Sequence, residues 1–128
     1  MENLKHLVRR LTGNYLQAAV GNHSFFVNDI REDMSVDNNS ERIISVINRL
    51  LAIAARQLKN TCIRLTARKH GNLTVLEIQE SGPINSYALA SDLQHVCLLA
   101  NQLGGSLNIS IPKAKKMTVS FSFPGMAS

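Results

Sequence analysis

Residues 39–58 read NSERIISVINRLLAIAARQL. Ile43, Ile44, Ile47, Leu50, Leu51, Ala54 and Leu58 recur there at the spacing of one face of an α-helix. Arg42, Asn48, Arg49, Arg56 and Gln57 cover the remaining face. Asp37-Asn38-Asn39-Ser40 is a dense helix-start signal, and Asn38 with Glu41 three residues on makes a capping box. Burying such large aliphatic side chains at roughly 1.5–3 kcal/mol each makes this helix the chief contributor to a core. Whatever surrounds it must be built to cover that face.

Downstream, Thr61 to Arg68 alternates, Ile63, Leu65 and Ala67 pointing one way and Cys62, Arg64, Thr66 and Arg68 the other. His70-Gly71-Asn72 supplies a hairpin turn, Leu73 to Gln79 returns, and Pro83 breaks the strand. Asn85-Ser86 starts a second helix through about Leu103, striped by Leu89, Leu93, Val96, Ala100 and Leu103, with Gly104 as its left-handed cap. Leu107, Ile109 and Ile111 alternate in one strand and Met117, Val119, Phe121 and Phe123 in the next, joined by Pro112 to Lys116.

Upstream, residues 2–19 read as a helix with Leu4, Leu7, Val8, Leu11 and Tyr15 on one side, weakened at Gly13-Asn14. That stripe needs cover, from the body of the domain or from a second copy of the chain. Gly21-Asn22-His23 is a turn, and Ser24 to about Met34 reads as a strand. Its polar half (Asp29, Arg31, Glu32, Asp33) suits a sheet edge. The order helix, strand, helix, strand, strand, helix, strand, strand predicts an α+β, two-layer sandwich. Its sheet is mixed and mostly antiparallel, with the helices packed on one face. Residues 1–20 are then a packing or dimerisation helix, 21–124 the domain and 125–128 a tail.

A chain of 128 residues is expected to be one domain, and 45% apolar content excludes disorder. No apolar run reaches the ~18–20 residues of a membrane span, and Met1 to His6 lack the build of a signal peptide, so a cytoplasmic protein is expected. Cys62 and Cys97, among apolar neighbours without ligand spacing, read as buried small hydrophobes. His95 and Cys97, at i and i+2 on one helix, face apart, and His23, His70 and His95 lack zinc spacing. No catalytic residue and no metal ligand is therefore expected. A net charge of +5 permits an acidic protein partner or nucleic acid without requiring either.

Glu80-Ser81-Gly82-Pro83 and Leu103-Gly104-Gly105-Ser106-Leu107, set in this order of elements, give residues 20–123 a second reading. The chain resembles the ATP-binding domain of sensor histidine kinases, the GHKL superfamily. In that family the long helix carries Asn-Leu-Leu-x-Asn-Ala, whose second asparagine holds the magnesium bridging the ATP phosphates. The matching turn here is Arg49-Leu50-Leu51-Ala52-Ile53-Ala54. The resemblance places Ile53 at the metal position, and an isoleucine offers no oxygen to a hard cation. Asn48 is one residue off, about 100° round the helix.

The family's first glycine box, Asp-x-Gly-x-Gly, becomes Glu80-Ser81-Gly82-Pro83-Ile84. Glu80 keeps a carboxylate for the adenine amino group, one methylene farther out, while Ile84 replaces the second glycine. The phosphate-cradling lid is short, and Ala88 to Leu93 holds no glycine and carries Asp92. Gly104-Gly105 matches a structural turn of the family.

His6 answers to the family's helical phosphoacceptor only loosely, because Leu7 follows where that motif has an acidic residue; a solvent-facing helix residue is the preferred reading. The resemblance therefore implies a degenerate domain without cofactor, in which Glu80, Ser81, Gly82, Pro83 and Arg49 are a vestigial ATP pocket. Its style is that of histidine phosphotransferases whose pseudo-ATPase domain docks response regulators.

Three functions stay open. The first is signal transduction through protein contacts, docking or scaffolding a response regulator or kinase, with a homodimer through residues 2–19. The second is a divergent binder of ATP and magnesium, with Arg49 on phosphate. The weakest is nucleic-acid binding by Arg64, Arg68, Lys69, Lys113, Lys115 and Lys116, which lack interleaved aromatics for base stacking.

Overall fold

The computed structural model describes residues 2–36, 41–80, 86–110 and 117–124. Along the chain run β1 (Glu2–Asn3), α1 (Leu4–Gly13), α2 (Leu16–Gly21), β2 (Phe25–Asn28), β3 (Ser35–Val36) and α3 (Glu41–Gln57). These are followed by β4 (Cys62–His70), β5 (Leu73–Glu80), α4 (Ser86–Gln102), β6 (Ser106–Ser110) and β7 (Met117–Pro124). Five strands form one sheet in the order β2-β4-β5-β7-β6. Only β2 and β4 pair in parallel; the other three pairs are antiparallel. The α+β, mixed and mostly antiparallel sheet expected from the sequence is the architecture found.

The long helix behaves as its periodicity requires. Ile43, Ile47, Leu50, Leu51 and Ala54 are buried, Leu58 just beyond it is too, and Ile44 packs partly buried against the same core. Ile63, Leu65, Leu76, Ile78 and the whole alternating set Met117, Val119, Phe121 and Phe123 join that cluster from the sheet. Leu93, Val96 and Ala100 join it from α4. Asn38, with the proposed capping box, lies outside the described residues, as do Ile111 and the connection from Pro112 to Lys116.

Gly104 adopts φ 80° as the cap expected of it. Its N–H donates to Asn101 O and that of Gly105 to Ala100 O, at 3.2 and 2.9 Å. Together they close the 5→2 and 6→1 pair of a Schellman motif. Gly71 opens the two-residue β4–β5 turn at φ 62°. That is the left-handed geometry such hairpins take at their first central residue.

Several expectations change. The helix read over residues 2–19 is two pieces, α1 and α2, divided at Asn14-Tyr15, and β1 precedes it, paired with β3. Asn3 caps α1, its Oδ1 accepting from His6 N. The α1 stripe of Leu4, Leu7, Val8 and Leu11 is covered by the body of the same chain, beside α3 and β2. The need for a second copy over that stripe lapses.

The strand read to Met34 stops at Asn28, because Asn28 Oδ1 accepts from Ile30 N and folds the chain over. In the turn that follows, the Arg31 guanidinium hydrogen-bonds Asp33, holding that carboxyl below the usual carboxylate range and raising Arg31. Ile109 is 39% exposed, because β6 is an edge strand with one neighbour. Cys62 and Cys97 are half-buried rather than buried; Cys62 points opposite to the core-facing Ile63.

Candidate functional site

The candidate site is the outer side of α3 where α4 lies against it. Ile53 packs, partly buried, on the hydrophobic core. Beneath it Leu50, Ala54, Ile78, Leu93, Met117 and Val119 leave a cavity of about 10 Å³. That volume is room for one water at most, and its walls are aliphatic apart from one thioether. Glu80 ends β5 opposite Met117, is 3% exposed, and alternates onto the same face as Leu76 and Ile78. The carboxylate is thus on the helix-covered face of the sheet. Ser81, Gly82 and Pro83 lie outside the described residues.

Asn48, the near substitute for a metal ligand, is committed elsewhere. Its Oδ1 accepts from Tyr15 OH at 2.9 Å, tying the start of α2 to α3. The turn before β2 is fastened to the other end of α3. Asn22 Nδ2 donates to Ala55 O at 2.8 Å and Ser24 Oγ to Leu58 O at 2.8 Å, satisfying carbonyls that a helix end leaves without partners. Ile53 itself offers a magnesium ion no oxygen, and the amide oxygen of the neighbouring Asn48 accepts from Tyr15. Among the described residues no group of three His, Cys, Asp or Glu could hold a metal.

Arg49 is exposed, away from the core and over a groove of about 280 Å³ between α3 and α4. Ala52, Ile53, Arg56, Asp92, His95 and Val96 complete its walls. Asp92 Oδ2 accepts from Gln57 Nε2 across the two helices. A second groove of about 150 Å³, between Arg42 and Ser45 on α3 and Leu99, Gln102 and Leu103 on α4, lies toward the opposite end of the pair. Arg56 and His95, given no site role from the sequence, are thus brought beside Arg49. The signal was the interval of seven between Arg49 and Arg56; the partner helix could not be read.

The basic set on the sheet is a different matter. Arg64 pairs with Asp29 at 3.2 Å and Arg68 with Glu77 at 3.0 Å, while Lys113, Lys115 and Lys116 lie outside the described residues. His6, His23 and His70 are exposed.

No protein-family model matches the chain, and no curated protein does. Solved structures do match. The histidine kinase AdeS of Acinetobacter baumannii superposes with a TM-score of 0.79 at 15% identity, over 98% of this chain and 66% of that one. The catalytic domain of histidine kinase ThkA superposes at 0.71 with 16% identity, over 98% of this chain and 96% of that one. The chain has the histidine-kinase ATPase-like fold.

ThkA has also been solved with the response regulator protein TrrA, and that structure superposes at 0.73 with 18% identity, over 97% of this chain and 41% of that one. Identities this low carry the histidine-kinase ATPase-like frame and no residue's role. Within that frame, Glu80 sits at the end of a central strand and Arg49 on the first long helix.

Proposed function

We propose that this is a signalling domain that keeps the histidine-kinase frame, has given up ATP and magnesium, and works by docking a two-component partner. The observation that carries the reading is Ile53: it packs on the core where the resemblance requires a metal ligand, and Asn48 is held by Tyr15. The small, aliphatic cavity under Ile53 supports the same reading. A response regulator is the partner class, supported by the ThkA–TrrA complex on the same fold. We place the protein in the cytoplasm, where such partners are. Among the described residues no helix is long and apolar enough to cross a membrane.

A second reading, a divergent nucleotide binder, has its own support. The carboxylate of Glu80 is buried on the helix-covered face, and Arg49 and Arg56 line one groove. Melting with millimolar ATP and magnesium decides between them. A ligand at a hundred times its Kd stabilises by about 2.7 kcal/mol, a rise of about 10 °C for a domain of this size. The expected result is an unchanged Tm. A rise that needs magnesium, or one from ATP alone, rejects the docking-only reading.

A further inference from the structure

Arg42, Arg49 and Arg56 stand at intervals of seven on α3, and all three are exposed. Seven residues advance a helix by about 10.5 Å and bring a side chain back to within about 20°. The three guanidinium groups therefore form one rail about 21 Å long. None is in an ion pair among the described residues.

The rail borders both grooves between α3 and α4, Arg49 and Arg56 at one and Arg42 at the other. Ile53 and Val96 line the first, Leu99 and Leu103 the second, so the floor beside the rail is apolar. Leu98, three residues from His95 on α4, has a side chain 59% exposed. The one carboxylate lining either groove, Asp92, is engaged by Gln57.

We propose that this groove docks an acidic amphipathic helix of a partner protein. Its apolar stripe would lie on the partly exposed Ile53 and Leu99, and its carboxylates, repeated every seven residues, would face Arg42, Arg49 and Arg56. The match is one of period: a helix laid along α3 repeats at the same ~10.5 Å as the rail. A triphosphate is too short to engage both Arg42 and Arg56. A nucleic-acid strand would find no Phe, Tyr or Trp lining either groove for its bases and no use for an aliphatic floor. The inference rests on the docking reading above and names the chemistry of what docks.

The test uses the full chain and a labelled synthetic helix of about 18 residues, long enough to span the rail. It carries a leucine stripe and three glutamates seven apart; its control replaces them by glutamine. Fluorescence anisotropy at ~50 mM salt is expected to show the glutamate peptide binding at least about tenfold tighter, with the difference shrinking at ~500 mM. Arg42→Glu and Arg49→Glu should each weaken binding about tenfold, and Arg64→Glu on the sheet should leave it unchanged.

Equal affinity for the two peptides, or indifference to Arg42→Glu, overturns the proposal. So does a single-stranded oligonucleotide that binds through Arg42 and displaces the peptide. The ATP melt keeps the two ideas apart. A raised Tm removes the docking-only reading itself. An unchanged Tm with a peptide that ignores the arginines removes this inference alone.

Discussion

Replacing Gly105 by alanine tests whether the α4–β6 turn is fixed by sterics or only by convention. An added Cβ would stand 2.3 Å from the carbonyl oxygen of Ser122, about 1 Å inside ordinary contact, and 3.2 Å from Leu103 Cδ1. That carbonyl cannot retreat cheaply. Ser122 lies in β7, paired with Val75 on one side and Ser106 on the other. Moving Gly105 instead breaks its N–H bond to Ala100 O, half of the Schellman cap.

Overpacking of this kind costs roughly 1–3 kcal/mol, and a lost backbone hydrogen bond roughly 0.5–1.5. The expected loss is about 2–4 kcal/mol, or a Tm lower by about 7–15 °C at the usual unfolding entropy of ~2.1 cal/mol/K per residue. Circular dichroism melts measure it directly. Gly13→Ala is the control: nothing lies within 4 Å of its Cβ position, and it ends α1. That change should leave stability unchanged or raise it by up to about 1 kcal/mol. A Gly105→Ala protein melting within ~2 °C of the parent would refute the argument.

Two further outcomes follow from the packing around α1 and α2. Deleting residues 1–20 strips Leu4, Leu7 and Val8, all fully buried, from the core. At roughly 1.5–3 kcal/mol each the loss rivals the ~5–15 kcal/mol of a whole domain, so the remainder should show no cooperative melt. A folded, monomeric 21–124 fragment would contradict this. Tyr15→Phe and Asn48→Ala, singly and together, should show a coupling of about 0.5–1.5 kcal/mol in urea unfolding. Strictly additive effects would mean that the Tyr15–Asn48 hydrogen bond contributes nothing and that Asn48 is free for another role.

Much of the frame was legible because its signals are local. Ile43 to Leu58 and Met117 to Phe123 each carry a period that admits one secondary structure and one buried face. Gly104 announces a helix end because few other residues accept φ 80°. Ile53 could be seen to lack an oxygen before any fold was known. What misled was equally physical. The β2 segment does lie at a sheet edge, but its polar end is not strand, and the Asn28 turn that ends it is a side-chain contact two residues on.

The sequence by itself determined which faces must be buried and which chemistry one position on α3 cannot perform, since periodicity and side-chain composition belong to the chain. Tertiary structure alone decided that α1 finds its cover within the same chain and that Asn48 is spent on Tyr15. It also laid the Arg42–Arg49–Arg56 rail along an aliphatic groove completed by α4. Each of these joins side chains from about 15 to 60 residues apart, and no local period encodes which distant surface a helix will meet.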